Sequence, residues 1–222
     1  MRSFDRFETV RLKMVEKLAA QGVGDRRTLE AMGQVPRELF VSPALRGKAY
    51  EDVRLPIGLG QTISAPSTVA RMTALVNAPD KSRVLEIGAG SGYQAAVLGA
   101  MGYIVYSVER HAQLARQAAE RIADLGLLNV SIKHFDGTYG WAANAPYRAI
   151  VVTAAGPEVP VPLLRQLEEV GRLVMPLARG AEQRLVSIER DGARLRETDH
   201  GAVDFVPLIG RYGFAADGAA KR

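Results

Sequence analysis

The sequence predicts an α/β fold: a doubly wound, mostly parallel sheet with N-terminal helices and an irregular C-terminal strand pair. Three observations predict it. β-rich apolar runs alternate with helix-length segments from about residue 83 to 175. A glycine-rich turn, Gly88-Ala89-Gly90-Ser91-Gly92, follows the first of those runs. After residue 180 two further strand-like runs occur with no helix between them. Strands joined by helices of this length pair in parallel through right-handed crossovers, whereas two strands joined by a short turn pair antiparallel.

The elements follow in order. Phe4, Phe7, Met14 and Leu18 recur near helical spacing, so residues 4–20 read as an amphipathic helix that Gln21-Gly22-Val23-Gly24 stops. Asp25 is placed to cap a second helix carrying Leu29 and Met32, which Pro36 disrupts. Ser42 to Pro66 is irregular and rich in Gly and Pro, a loop long enough to imply function or mobility. Strands are expected at Val84–Ile87, Tyr103–Val108, Val130–Phe135, Ala149–Val152 and Arg172–Met175. Helices are expected at Tyr93–Met101, His111–Leu125 and Pro162–Glu169. Leu185–Ile188 and Ala202–Val206, separated by Asp191-Gly192, read as an antiparallel edge. The expected organisation is one domain over residues 1–214. Within it, 1–80 holds the N-terminal helices and a loop, 81–180 the core and 181–214 the last strands; 215–222 is expected to be a disordered tail.

Composition excludes several classes. With 222 residues, 47% hydrophobic and 24% charged, the chain can bury a full core and is not disordered. No run approaches the roughly 20 apolar residues that span a bilayer, and the first residues lack a signal-peptide core; no membrane partner and a cytoplasmic location are expected. The absence of cysteine rules out disulfides, thiolate metal sites and a cysteine nucleophile, and no metal is expected. The net charge of +5 is spread over scattered residues such as Arg26, Arg27, Lys81 and Arg83, and aromatics are only 6%, so no nucleic-acid partner is expected. No unexplained apolar helix stands out, and a monomer is the expectation.

In an open α/β sheet, ligands bind beyond the carboxyl ends of the strands. The turn there has Gly88, Gly90 and Gly92, but the position where a dinucleotide fingerprint has its third glycine is Tyr93. A pyrophosphate cradle is therefore disfavoured, and simple helix–strand packing would also explain the glycines. Glu109 ends the second strand of the series, where a carboxylate can accept both hydroxyls of a ribose. The alternative is a solvated strand-end charge. Asp136, followed by Gly137, ends the third strand and can accept from an adenine amine, or else form a common Asp-Gly turn. Glu86, inside the first strand, is costly to bury without a polar or cationic partner. Together these residues describe a site for an adenosine-type nucleoside carrying positive charge and no pyrophosphate, which S-adenosylmethionine (AdoMet) satisfies.

Longer stretches then resemble one family. Leu55–Pro66 (LPIGLGQTISAP), Val84–Tyr93 (VLEIGAGSGY), Ser107–Arg110 (SVER), Ala149–Ala155 (AIVVTAA), Phe205–Leu208 (FVPL) and Val35–Val41 (VPRELFV) resemble the protein-L-isoaspartate O-methyltransferases. The Gly-Gln-Thr-Ile-Ser-x-Pro loop is the specific element. The resemblance implies a Rossmann-like class I AdoMet-dependent methyltransferase with a strand order switched near the C-terminus. It implies transfer of a methyl group from AdoMet to the free carboxylate of L-isoaspartyl residues in proteins and peptides. The methyl ester then closes to a succinimide, which starts repair.

By the same resemblance Ser64 is the active-site residue, Thr62, Ile63, Glu86, Gly88, Gly90, Gly92, Glu109, Asp136 and Gly137 belong to the cofactor site, and Ser64, Ala65, Pro66, Val206, Pro207 and Leu208 hold substrate. The local pattern alone favours Ser64 as a helix N-cap. Phe135 and Arg54 depart from the family pattern, Phe135 being placed to narrow the approach to the adenine. Two other functions stay open on the sequence: an AdoMet-dependent methyltransferase of another acceptor, such as RNA or a small carboxylic acid, and a non-catalytic AdoMet- or peptide-binding adaptor.

Overall fold

The computed structural model of the chain describes residues 7–215. Helix α1 (Glu8–Ala20) packs on α2 (Arg26–Gln34), burying Met14 and Leu18 with Leu29 and Met32. The part of the first helix expected at residues 4–6 lies outside the described residues. The Asp25 carboxylate accepts from the Thr28 N–H at 2.7 Å, so α2 starts where its cap was expected. Arg11, on the inner face of α1, is buried because its Nε reaches the Gly33 carbonyl at 2.9 Å.

The Gly/Pro-rich stretch contains structure that its composition hides. Two 3₁₀ turns (Arg37–Phe40 and Pro43–Lys48) lead into a small antiparallel hairpin, β1 (Leu55–Gly58) with β2 (Gln61–Ile63). Its turn needs positive φ at Gly58, Leu59 and Gly60, which two glycines permit. Helix α3 (Pro66–Val76) follows directly.

The main sheet has seven strands in the order β5-β4-β3-β6-β7-β8-β9. Its parallel part comprises β3 (Arg83–Ile87), β4 (Ile104–Glu109), β5 (Val130–His134), β6 (Tyr147–Val152) and β7 (Leu167–Arg179). Helices α4 (Tyr93–Ala100), α5 (Ala112–Asp124) and α6 (Val161–Arg165) connect them. One face buries Val84, Val105, Val151 and Val174 with the N-terminal helices; the other buries Leu85, Ile150, Val152 and Leu173 with Leu163 of α6. The chain runs outward from β3 to β5, then returns to place β6 on β3's other side. That reversal opens a crevice at the carboxyl ends of β3 and β6.

Two boundaries differ from expectation. The helix expected at Pro162–Glu169 ends at Arg165, because the peptide after it bulges into a long β7 paired with Tyr147. The last strand, expected at Ala202–Val206, is instead β9 (Arg194–Val203), paired antiparallel with β8 (Glu182–Asp191). β9 is an exposed edge rich in charge, a device that blocks edge pairing and conceals strand periodicity. The strands at this end lie in chain order, and Gly192, with φ +59°, makes the β8–β9 turn, its N–H donating to Glu169 O at 2.8 Å. Residues after 203 leave the sheet and cross the crevice, where Ala155 exchanges backbone hydrogen bonds with Val206 and Leu208 (2.8 and 2.7 Å). Of the expected tail, residues 216–222 lie outside the described residues. Among the described residues no helix is long and apolar enough to cross a membrane.

Candidate active site

The glycine turn is the floor of the site. Gly88 N–H donates to Val108 O at 2.8 Å, and Gly90 N–H donates to Glu109 Oε2 at 2.8 Å. Gly88 has φ +97°, and a Cβ built there would lie 2.4 Å from Thr153 Oγ1. No other residue fits that position. Thr153 Oγ1 in turn lies 2.6 Å from the Gly88 carbonyl and 3.0 Å from that of Ile87. From the outside, Arg121 of α5 donates to Ser91 O at 3.1 Å.

Two cavities meet over this floor. The first is lined by Glu109, Arg110, Gly137, the hairpin residue Thr62 and the segment Val206–Ile209. The second is lined by Ile63, Ser64, Val69, Met72 and Tyr93. Both include Thr62, Gly88, Gly90 and Thr153, so the hairpin, the turn and the end of β6 form their junction. A concave junction lined by glycine backbone and a few convergent polar groups suits a small-molecule ligand.

The two carboxyl groups differ. Glu109 accepts from Gly90 N–H and, at 2.9 Å, from His111 N–H. A carboxylate offers about four acceptor sites, so two remain for ribose hydroxyls while the other two order the turn. Glu86 is fully buried at the root of the turn and lines neither cavity. It takes a hydrogen bond from Ser107, opposite it on β4, but its Oε1 has no partner among the described residues. Burial, with the nearby charge of Glu109 adding, pushes its pKa up to about 8 against the weaker pull of the Ser107 bond.

Ser64 does not cap α3. Ala65 holds the cap position without a side-chain hydrogen bond, Pro66 is the first helical residue, and Ser67 N–H is satisfied by Asp52 at 2.8 Å. The Ser64 side chain is thus left for the second cavity, while its carbonyl accepts from Arg37 Nη2 at 2.6 Å. Thr62, Ile63, Ser64, Gly88, Gly90, Glu109, Gly137 and Val206–Leu208 all line one or both cavities.

Five expected site residues have other positions, the buried Glu86 at the root of the turn being one of them. Ala65 and Pro66 start α3 and line neither cavity. Gly92 faces α5, where a Cβ would come 3.2 Å from the Ala118 Cβ, so it serves helix packing. Asp136 turns away from the cleft: its Oδ1 accepts from Thr138 N–H and hydroxyl (2.9 and 2.7 Å) and its Oδ2 from Arg211 N–H at 2.8 Å. It caps the Gly137–Tyr139 turn and clasps the C-terminal segment. Gly137 alone reaches the cleft, pressed against Ile87, whose Cγ2 a Cβ would meet at 2.5 Å. Phe135, expected near the adenine, packs on Tyr139 and under Lys133 Nζ. Conversely, Thr153 and Tyr93 sit at the junction and in the second cavity unforeseen. The strand-end position of Thr153 after Ala149–Val152 was the available signal.

An AdoMet-like ligand fits this donor set. The glycine floor presents backbone without side chains to the junction, Glu109 has acceptor capacity for a ribose, and the orphaned Oε1 of Glu86 beneath the turn would be stabilised by positive charge brought above it.

Residues 9–213 match the family model described as protein-L-isoaspartate(D-aspartate) O-methyltransferase. The chain is 52% identical over 202 residues to a protein-L-isoaspartate O-methyltransferase of Alkalilimnicola ehrlichii, covering 90% of this chain and 91% of that protein. It is 49% identical over 205 residues to a Methanoregula boonei protein of the same name, covering 92% and 94%. A solved protein-L-isoaspartate O-methyltransferase superposes with a TM-score of 0.84 at 31% identity, over 91% of this chain and 67% of that one. A Plasmodium falciparum structure of this description, in complex with S-adenosyl-L-homocysteine, gives 0.79 at 26% identity, over 90% and 98%.

Proposed function

The chain belongs to the protein-L-isoaspartate(D-aspartate) O-methyltransferase family, and from that premise we propose how its residues act, with Ser64 orienting the acceptor carboxylate. The enzyme is an AdoMet-dependent protein carboxyl O-methyltransferase: it methylates the free carboxylate of L-isoaspartyl residues in damaged proteins, which initiates repair through the methyl ester and succinimide. The observation that carries the assignment of roles is the junction of the two cavities at Thr62, Gly88, Gly90 and Thr153.

When bound, AdoMet supplies a methyl group on a sulfonium, an already activated leaving group. Gly88 and Gly90 would present backbone to the cofactor, Glu109 would accept hydrogen bonds from its ribose hydroxyls, and Gly137 would border the adenine side of the cleft. The acceptor carboxylate has a solution pKa near 4, so it is ionised at neutral pH and no general base is needed. The Ser64 hydroxyl donates to it from the second cavity and sets its line of attack. The hairpin and Val206–Leu208 exclude water around the junction. Orientation of this kind supplies up to ~7–11 kcal/mol of the barrier. No histidine lines either cavity, which argues against a covalent serine intermediate.

The same reading takes the enzyme as one domain, a cytoplasmic monomer without a nucleic-acid partner. Its scattered basic residues speak against a nucleic-acid partner, the lack of cysteine is compatible with a reducing cytoplasm, and no unexplained apolar helix calls for a second copy. Light scattering at a mass near 24.0 kDa would agree with a monomer.

The test compares labelled methyl transfer from AdoMet to a peptide containing L-isoaspartate and to its aspartate twin. Base-labile label on the isoaspartyl peptide alone is expected. Label on neither, with AdoMet bound, would overturn the acceptor assignment.

A further inference from the structure

We propose that Arg37 is a positioning residue for Ser64, acting on the acceptor loop through its backbone. The proposal rests on the orienting role of Ser64. Arg37 opens the 3₁₀ turn after α2 and is fully buried. Its Nε donates to Ala49 O at 2.7 Å and its Nη2 to Ser64 O at 2.6 Å. Its guanidinium lies over the Tyr93 ring at 4.6 Å, and Tyr93 meets Phe40 edge-on at 5.4 Å. Tyr93 lines the Ser64 cavity and starts α4 directly after the glycine turn. One planar group therefore joins the segment before the hairpin, the residue after it, and the helix that carries the turn.

The charge state makes this arrangement unlike an ordinary structural peg. Among the described residues no carboxylate forms an ion pair with the guanidinium and its Nη1 has no hydrogen bond; burial lowers its pKa against the weaker pull of its surroundings, the charge of Asp52 among them. Burying an unpaired cation is costly, and an apolar side chain of similar volume would pack at less cost. What an apolar side chain cannot do is hold two carbonyls at a fixed separation and angle, which the rigid guanidinium fork does. Ala49 is a fully buried anchor, so the fork transmits the position of the core to Ser64 O. Lysine, a single point donor on a flexible stem, cannot span both carbonyls.

The test is a double-mutant cycle in the full-length enzyme: wild type, Arg37→Lys, Ser64→Ala and the double variant. AdoMet Kd is measured by titration, and kcat and KM with an isoaspartyl peptide well below the unfolding transition. Arg37→Lys is expected to lower kcat roughly 10–100-fold, as misplacement by about 1 Å can, with the AdoMet Kd changed less than about 3-fold. In the Ser64→Ala background the same change is expected to cost little more, because interacting residues are non-additive. Effects on kcat that multiply, or an unchanged kcat in Arg37→Lys, would overturn the proposal. If the lysine variant does not fold, Arg37→Gln, which removes the buried charge, takes its place in the same cycle with the same outcomes. Wild-type kcat in Ser64→Ala alone would instead overturn the orienting role of Ser64, whatever Arg37 does.

Discussion

The glycine turn and the hairpin face each other across the same junction but are built differently. The turn is embedded in the sheet: Val108, Glu109 and Thr153 hold its peptide groups, and Arg121 holds it from α5. The hairpin is a two-stranded sheet of its own with an exposed Leu59 at its tip. Its base is anchored in the core by Leu55 and Ile63, while its polar ties to the body are chiefly the Arg37 bond to Ser64 O and an exposed Arg54–Asp204 ion pair at 2.7 Å. A two-stranded hairpin is marginal alone. The cofactor side is thus preorganised, as an invariant small molecule allows, while on the acceptor side the exposed tip of the hairpin is the part free to yield to the many protein surfaces that carry damage.

If that contrast is right, the largest effect comes from the rigid side. Gly88→Ala forces a positive φ and a clash with Thr153, and is expected to weaken AdoMet binding by roughly 100-fold or more in calorimetric titration. Near-normal affinity would show that the turn yields after all. Ser64→Ala tests the other side: kcat is expected to fall about 10–100-fold, while AdoMet affinity holds. An equal loss of cofactor binding would mean that the two sides are not separable.

A smaller effect probes the sheet beneath the turn. Glu86 titrates near 8 when folded and near 4.5 in its ordinary state. The folded state therefore holds the proton more tightly, and stability falls as pH rises from about 4.5 to about 8. Glu86→Gln removes this slope, so its Tm relative to wild type is expected to rise across that window, by a few degrees at ~2–4 °C per kcal/mol. Parallel Tm profiles would exclude an uncompensated Glu86. The smallest effect belongs to the hairpin's outer tie. Exposed pairs contribute at most about 1 kcal/mol, so Arg54→Ala is expected to change kcat/KM less than about 3-fold, and less still in high salt. A loss of 10-fold would make that pair a clasp rather than a surface contact.

The parallel half of the fold was legible because its strands are buried on both faces and read as unbroken apolar runs, as in Val84–Ile87 and Ala149–Val152. β9 was displaced in the reading because its exposed face carries charge, and β1–β2 escaped notice because short strands with glycine turns have no period to detect. In the candidate site, place and motif in the sequence pointed to Glu109, Gly88 and Ser64, and all three line the cavities. Asp136 was not, since an Asp-Gly pair at a strand end fits a ligand and a turn equally well, and only the position of Arg211 N–H decides. Arg37 was invisible for the opposite reason: nothing in a sequence tells an arginine that will be buried from one that faces water.

The β8–β9 turn bears on the enzyme's own durability. Aspartate before glycine is the dipeptide most prone to ageing, because the glycine nitrogen can attack the neighbouring side-chain carboxyl and no Cβ hinders it. Asp191-Gly192 is such a pair, yet its glycine N–H is engaged by Glu169 O and Asp191 is paired in the ladder with Arg194. The attacking nitrogen is occupied and Asp191 is held in the β8–β9 ladder, so the catalyst of repair keeps this weak link of its own chain from needing it.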